Sequence, residues 1–173
     1  MLTQIFPLES IPYEGATFGA SSRWSGFPAA NAFTHSSWRP WHAGSWQLPQ
    51  LIFITFPKKQ RVSEISFEPR IDWPNRDQAA KKAPKDVEIW ATNEEDLTEM
   101  DQLMNPTRWK KLARITNIKW GRETNYVGGT KIENRKRGLY FTYGIYIKSV
   151  STPDYVSLSK ITLKRSENHP GVC

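Results

Sequence analysis

Cysteine is almost absent from this sequence. Among its 173 residues the one cysteine is Cys173, at the last position. A single thiol excludes an internal disulfide and a zinc site made of several thiolates, and it leaves the redox compartment undecided. The terminal position of Cys173 favours a chain cut from a longer protein, and the thiol could also link two copies of the chain.

Long apolar runs and internal repeats are also lacking. The longest apolar run covers residues 51–56, far short of the ~20 residues that span a bilayer. Residues 1–15 do not place an apolar stretch after a basic start, so we expect no signal peptide in this chain. The lack of repeats and of low-complexity segments argues against solenoids and propellers. We predict a single domain over residues 1–173.

Acidic residues are fewer than basic ones, 17 against 24, and the formal net charge is +7. This charge attracts acidic partners such as nucleic acid, anionic lipid or sulfated glycan, without selecting among them. We interpret each short basic cluster as a solvated turn or strand end. The four clusters are Lys58-Lys59-Arg61, Lys81-Lys82-Lys85, Arg108-Lys110-Lys111 and Arg135-Lys136-Arg137.

Catalytic motifs are missing. The sequence has neither a Gly-x-Ser-x-Gly elbow nor a phosphate-binding glycine loop, and His35, His42 and His169 have no recognisable nucleophile partner. The acidic run at residues 94–101 is more typical of a solvated turn than of paired glycosidase carboxylates. We therefore expect neither enzyme activity nor a cofactor.

Apolar and polar residues alternate with a period of two in several segments, which predicts β-strands. The longest such segment runs from Leu139 to Ile147, and shorter ones lie at residues 64–68, 86–89 and 160–164. Residues 51–56 are apolar nearly throughout, which predicts a strand that is covered on both faces.

A change of phase marks the last predicted strand. Val156 and Leu158 share one face, whereas Ile161 and Leu163 are in the opposite phase. One extra residue is needed to re-aim the chain, so we predict a β-bulge or a bend near residues 159–160.

Helical signals are weak. Asn93 could cap a short turn through residues 94–96, and Pro106 limits any helix that follows. Segments rich in glycine, proline, serine and asparagine separate the predicted strands, at residues 15–28, 36–45, 72–84 and 116–137. The fold class is therefore all-β, with a two-sheet sandwich as the simplest architecture.

Several motifs occur in an order that resembles a known family. These motifs are "FPAANAF" with a following Trp38, "DVEIWATN", "YGIYIKSV" and "YVSLSKITL". Together they are similar to the discoidin family, which includes the C-type domains of coagulation factors five and eight, over Thr17 to Leu163. The resemblance implies a galactose-binding-like jelly-roll sandwich of about eight antiparallel strands, with the ligand held by loops at one end.

The sequence departs from those relatives of the family that bind calcium. They tend to place an acidic residue after the Ala-x-Asn-Ala segment and a glutamate on the last strand. Here Thr34 and Lys160 stand at these positions, so the oxygen ligands that calcium needs are depleted. We predict no calcium site and no other metal. Lys160 either replaces the ion's bridging role or is an exposed strand lysine.

A polar group follows the strand "ISFEPR". Arg70, Asp72, Trp73 and Arg76 combine a guanidinium fork, a carboxylate and an aromatic face, which together suit the hydroxyls and the C–H face of a sugar. With His42, they resemble the pattern of the fucose-binding branch of the superfamily. The spacings differ from that pattern, so fucose is not assigned. The alternative is a surface Arg–Asp pair with Trp73 tucked against the sandwich.

Tryptophans provide further candidates for ligand contact. Trp24 and Trp41, like Trp73, could lie in an end loop and stack on a sugar or dip into a bilayer. We expect three others to be core residues, namely Trp38, Trp90 and Trp109.

These observations favour a non-catalytic recognition module that binds carbohydrate, as a lectin does, through loops at one end of the sandwich. The alternative is a module that docks on a protein or an anionic membrane and has no sugar site. The expected partner is thus a glycan or glycoprotein, with anionic lipid or another protein as the alternative, and a multimeric state would raise its avidity. Nucleic acid is disfavoured because no recognised motif accompanies the charge. The resemblance favours an extracellular or cell-surface location and a role in cell adhesion.

Overall fold

The computed structural model of the chain describes residues 7–34, 40–70, 82–95, 97, 103–120, 128–152 and 154–166. Two antiparallel sheets contain ten strands in this part of the chain, which confirms the all-β sandwich. In sheet A, β1 (Leu8–Ser10), β10 (Ser157–Ser166), β5 (Glu64–Pro69) and β8 (Gly128–Lys131) lie side by side, and β3 (Trp41–His42) also pairs with β10. Sheet B has the order β2 (Thr17–Ala20), β4 (Gln50–Gln60), β9 (Tyr140–Val150), β6 (Pro84–Thr92) and β7 (Lys110–Ile115).

The main core lies between the two sheets, where alternate side chains of each strand are buried. In sheet B, Ile52 of β4 is paired with Ile145 of β9, and Ile54 is paired with Tyr143. All four side chains belong to the main core, together with residues of β5 and β10. The predicted strand at residues 139–147 is thus confirmed, although β9 begins at Tyr140.

A second cluster of buried residues covers the other face of β4. Leu51, Trp90, Leu103 and Trp109 form it, and the ring of Tyr146 stacks on Trp90 with 3.9 Å between centroids. Because Leu51 contacts this cluster and its neighbours in β4 contact the main core, the strand is covered on both faces, as its sequence predicts. The expected burial of Trp90 and Trp109 is also confirmed.

The predicted bulge lies in β10. The pairing of β10 with β5 shifts between Leu158 and Lys160. The hydroxyl of the intervening Ser159 is buried and donates a hydrogen bond to the Pro69 carbonyl, at 2.6 Å. The extra residue lets both halves of β10 place their apolar side chains in the same core, which is why the phase of the sequence changes.

The described helical segments differ from the expected one. They are a helix α1 (Ala30–Phe33) and 3-10 turns at Pro106–Arg108 and Asn134–Lys136. The predicted turn after Asn93 is wrong over residues 93–95, which are not helical, and residue 96 lies outside the described residues. The side chain of Asn93 instead donates to the Leu139 carbonyl and accepts from the Phe141 amide, so it ties β6 to the start of β9. None of the described helices is long and apolar enough to cross a bilayer.

Contacts between loops and strand ends bring four strands together at one end of the sandwich. The side chain of Gln50, the first residue of β4, accepts hydrogen bonds from the Ser21 and Ser22 hydroxyls, at 2.6 and 2.7 Å. The carbonyl of Ser22 accepts a hydrogen bond from the Trp41 indole of β3, at 3.0 Å. Pro69, at the end of β5, pairs with Leu158 near the start of β10. Strands β3, β4, β5 and β10 therefore meet at one end of the sandwich, which we call the β3 end.

Candidate ligand-binding site

A cavity of about 350 Å³ opens at the β3 end of the sandwich. This volume falls within the range typical of small-molecule sites. The cavity is lined by residues from five parts of the sequence: Trp24, Phe27, His42, Arg70, Lys82, Asp154 and Tyr155. Strand pairing explains their meeting, because His42 of β3 lies opposite Ser157 of β10 and Arg70 directly follows β5.

The surroundings of His42 favour the neutral imidazole. Its side chain is buried, and Nδ1 lies 2.8 Å from the Ala43 carbonyl oxygen, to which its N–H donates a hydrogen bond. Burial lowers the pKa of His42, and the positive charges of Lys82 and Arg70 lower the pKa further, against the raising effects of the Ala43 hydrogen bond and of Asp154. With Nδ1 protonated, Nε2 of the neutral ring is the atom that can accept a hydrogen bond.

Aromatic rings surround His42. The indole of Trp24 meets the ring of His42 edge-on with 5.8 Å between centroids, and it meets Tyr155 in the same way at 5.6 Å. The Trp24 amide also donates to the His42 carbonyl at 2.8 Å, which fixes the loop against β3. Even so, 49% of Trp24 is exposed. An indole that is fixed on one side and open on the other can offer an aromatic face to a ligand.

Charged groups border the cavity. The Arg70 guanidinium lies over the Phe27 ring, 5.8 Å from its centroid, which is the geometry of a cation–π contact. Asp154 accepts a hydrogen bond from the amide of Tyr155, at 2.7 Å, which orients the carboxylate in the turn before β10. With Lys82, the cavity therefore has two cationic side chains and one carboxylate among its described lining residues.

Three of the ligand-binding residues predicted from the sequence come together here: Trp24, His42 and Arg70. Trp41 does not join them. Its indole is fully buried in the main core and donates its N–H to the Ser22 carbonyl, so Trp41 is removed from the candidate set. Of the remaining candidates, Asp72, Trp73 and Arg76 lie outside the described residues, as does Trp38.

Sequence reasoning missed four lining residues: Phe27, Lys82, Asp154 and Tyr155. Lys82 belongs to a basic cluster that we interpreted as a solvated turn. Phe27 precedes the Pro28 to Phe33 motif, where the resemblance pointed to the fold and not to a ligand. Asp154 and Tyr155 directly precede the last strand, and their position in the turn that enters β10 was the one available signal.

The two positions aligned with calcium ligands do not fit a calcium ion. The hydroxyl of Thr34 donates to the Ala30 carbonyl at 3.0 Å, so it serves the end of helix α1. Lys160 brings an ammonium group to the surface of sheet A, where it lines a polar groove with Glu68. Among the residues that the structure covers, His, Cys, Asp and Glu side chains do not gather in groups of three or more that could hold a metal.

Solved structures with a similar fold include carbohydrate-binding modules and an F5/8 type C domain. The family 32 carbohydrate-binding module of C. perfringens NanJ, solved with galactose, superposes with a TM-score of 0.68 at 20% identity, covering 92% of this chain and 100% of that one. Chitosan-binding module 1 of a chitosanase/glucanase from Paenibacillus sp. IK-5 gives 0.63 at 19% identity, over 85% and 92% of the two chains. The F5/8 type C domain of a Bacteroides fragilis protein gives 0.64 at 12% identity, over 92% and 97%.

Structural comparison detects the relationship, whereas comparison with family profiles and curated sequences does not. The chain matches no protein-family profile and no curated protein sequence. At these identities the structural likeness establishes the fold and leaves the ligand open. It nevertheless confirms the resemblance noted in the sequence: the chain has the discoidin-like fold that family 32 carbohydrate-binding modules share with F5/8 type C domains.

Proposed function

We propose that this protein is a non-catalytic carbohydrate-binding module that holds a glycan in the cavity at the β3 end. One observation carries the proposal. The fold places the half-exposed indole of Trp24 beside the neutral imidazole of His42 and the guanidinium of Arg70 in one cavity. The binding of galactose by one similar module and of chitosan by another supports the same ligand class.

Each of these groups has a role that matches the chemistry of a sugar. The exposed face of Trp24 suits the apolar C–H face of a pyranose ring. Nε2 of His42 can accept a hydrogen bond from one hydroxyl, and the two-pronged guanidinium of Arg70 can donate to two adjacent oxygens. The Asp154 carboxylate is the natural second acceptor. Asp72, predicted from the sequence as an acceptor, remains a prediction.

The lining of the cavity favours recognition over catalysis. Glycoside hydrolysis ordinarily uses a pair of carboxyl groups that flank the scissile bond. Among the described lining residues Asp154 is the one carboxylate, and neither serine nor cysteine lines the cavity beside His42. These residues can bind a sugar, but they do not supply a nucleophile with a general base.

The alternative, docking on an anionic membrane, has an observation of its own. Trp46 is 66% exposed and Leu48 is 37% exposed, and both precede β4 at the β3 end. Exposed apolar side chains of this kind can enter a bilayer interface, and the net charge would attract anionic lipid. In this alternative the cavity itself would hold no sugar.

Salt dependence distinguishes the two functions. The protein would be screened on an array of neutral and charged glycans at low and high ionic strength, with anionic vesicles in parallel. We expect retention of a neutral glycan whose affinity changes little with salt, because hydrogen bonds and stacking carry the binding. Binding to vesicles alone, with steep weakening in high salt, would contradict the proposal and support membrane docking.

A further inference from the structure

Two strongly basic segments lie at the end of the sandwich opposite the cavity. This opposite end holds Gln60 at the end of β4 and Ser166 at the end of β10, and the Arg165 guanidinium donates to the Gln60 side chain at 3.1 Å. Residues 57–63 and 131–139 both lie here, and together they contain seven lysines and arginines and one acidic residue. We call these seven cations the basic surface: Lys58, Lys59, Arg61, Lys131, Arg135, Lys136 and Arg137.

The fold fixes the two basic segments beside each other. The buried hydroxyl of Tyr143 donates to the Gln60 carbonyl at 2.7 Å, and it lies 3.3 Å from the Gly138 carbonyl. In addition, the Ile132 amide donates to the Ser63 carbonyl at 2.8 Å. Two clusters that are far apart in the sequence therefore form one surface, which neither cluster alone would indicate.

Few carboxylates neutralise this surface. Glu133, the one acidic residue of the two segments, lies 2.7 Å from Arg135 and 3.9 Å from Lys136. The nearby Glu64 and Glu9 pair instead with Lys164 and Arg165, which are outside the basic surface. Among the described residues, these two segments thus retain an excess of positive charge, although Glu94 and Glu95 line a pocket with Phe141 at the same end. Four side chains of the basic surface are exposed: Lys58, Lys59, Lys131 and Arg135.

We propose that the basic surface is a second binding site, for a polysaccharide that carries sulfate or carboxylate groups. Charged groups spaced along such a chain match a surface that carries several cations. The site is separate from the cavity at the β3 end and does not depend on its function.

The local structure favours this partner over nucleic acid or a membrane. The large exposed apolar side chains of the described residues lie mostly at the β3 end, and the Phe141 ring at this end is covered by the Lys59 ammonium, 5.3 Å from its centroid. Stacking on bases or insertion into a bilayer would need exposed aromatic rings here. Three of the cations lie on strands β4 and β8 and four lie in a 3-10 turn or in loops, and none lies on an α-helix of the kind that ordinarily enters a duplex groove.

The test uses a heparin oligosaccharide as the sulfated probe and compares two variants that lose the same charge. One is Lys58→Gln/Lys59→Gln/Arg135→Gln on the basic surface. The control is Lys85→Gln/Arg114→Gln/Lys119→Gln, whose three exposed side chains lie on sheet B or in its loops away from that surface. Neutral substitutions avoid new repulsion, and thermal unfolding verifies that both variants fold.

We expect the basic-surface variant to lose roughly tenfold in heparin affinity, with a salt slope smaller by about two, and the control to lose less than about threefold. Equal losses in the two variants would overturn the proposal, because they would show attraction to net charge alone. Failure of the wild-type protein to bind heparin would overturn it as well. Tighter binding of duplex DNA, or of phosphatidylserine vesicles, than of heparin would assign the surface to that partner instead.

Discussion

At the scale of single residues, the candidate site depends on which side chains are buried and which are open. Trp24 and Trp41 are both candidates in the sequence, yet one is half exposed and the other is in the core. The sequence pattern does not distinguish them, because their burial depends on strand β3. This strand has two residues, which is too short to show alternation of apolar and polar side chains. The structure was needed to choose between them.

His42 makes the stability of the protein depend on pH. Because burial lowers the pKa of His42 in the folded protein, the unfolded chain binds this proton more readily, and folding free energy is lost as pH falls below the ordinary value of about 6.5. We expect the stability advantage of the wild type over His42→Gln to be larger at about pH 8 than at about pH 5.

Urea denaturation of both proteins at the two pH values measures this difference directly. His42→Gln serves as the reference that removes the contribution of every other titrating group. A stability advantage of the wild type that grows as the solution becomes more acidic would mean that His42 gains a proton on folding. Nε2 could then not act as the neutral hydrogen-bond acceptor.

At the scale of elements, strands were predictable from the sequence where their two faces differ. The alternation in β9 and the phase change in β10 both follow from the same requirement, that apolar side chains point into one core. The short helical turn predicted after Asn93 is not found at residues 93–95, because a side chain that can cap a helix can equally bond the backbone of a neighbouring strand, as Asn93 does with β9. Turns that contribute to the cavity carry no such periodic signal.

The second cluster of buried residues predicts a large effect at Trp90. Its indole is 2% exposed, stacks on Tyr146 and donates to the Glu88 carboxylate at 3.0 Å. We expect Trp90→Ala to lower the free energy of unfolding by about 3–5 kcal/mol, since a large core side chain is replaced by a cavity.

Trp46→Ala is the matched control, because its indole is 66% exposed, and we expect a change within about 0.5 kcal/mol. Chemical denaturation of the two variants and the wild type supplies the comparison. Similar losses at the two positions would show that the cluster outside sheet B contributes little to stability.

At the scale of the whole molecule, the sandwich separates two surfaces of different chemistry. Strand β4 runs the length of the domain, and its 11 residues span about 33 Å between the cavity and the basic surface. This distance is several times the screening length of about 8 Å at physiological salt, so the charges at one end act weakly on a ligand at the other. The net charge of the chain therefore says little about the ligand of the cavity.

The central claim is that the cavity at the β3 end binds a sugar through Trp24. The most direct measurement is calorimetric titration of the best neutral array glycan into the wild type, Trp24→Ala and Trp46→Ala. Loss of a stacked aromatic face should cost about 1–3 kcal/mol of binding, so Trp24→Ala should bind about 5- to 150-fold more weakly. Trp46→Ala, whose side chain does not line the cavity, should bind as the wild type does. Unchanged affinity in a folded Trp24→Ala variant would contradict the account.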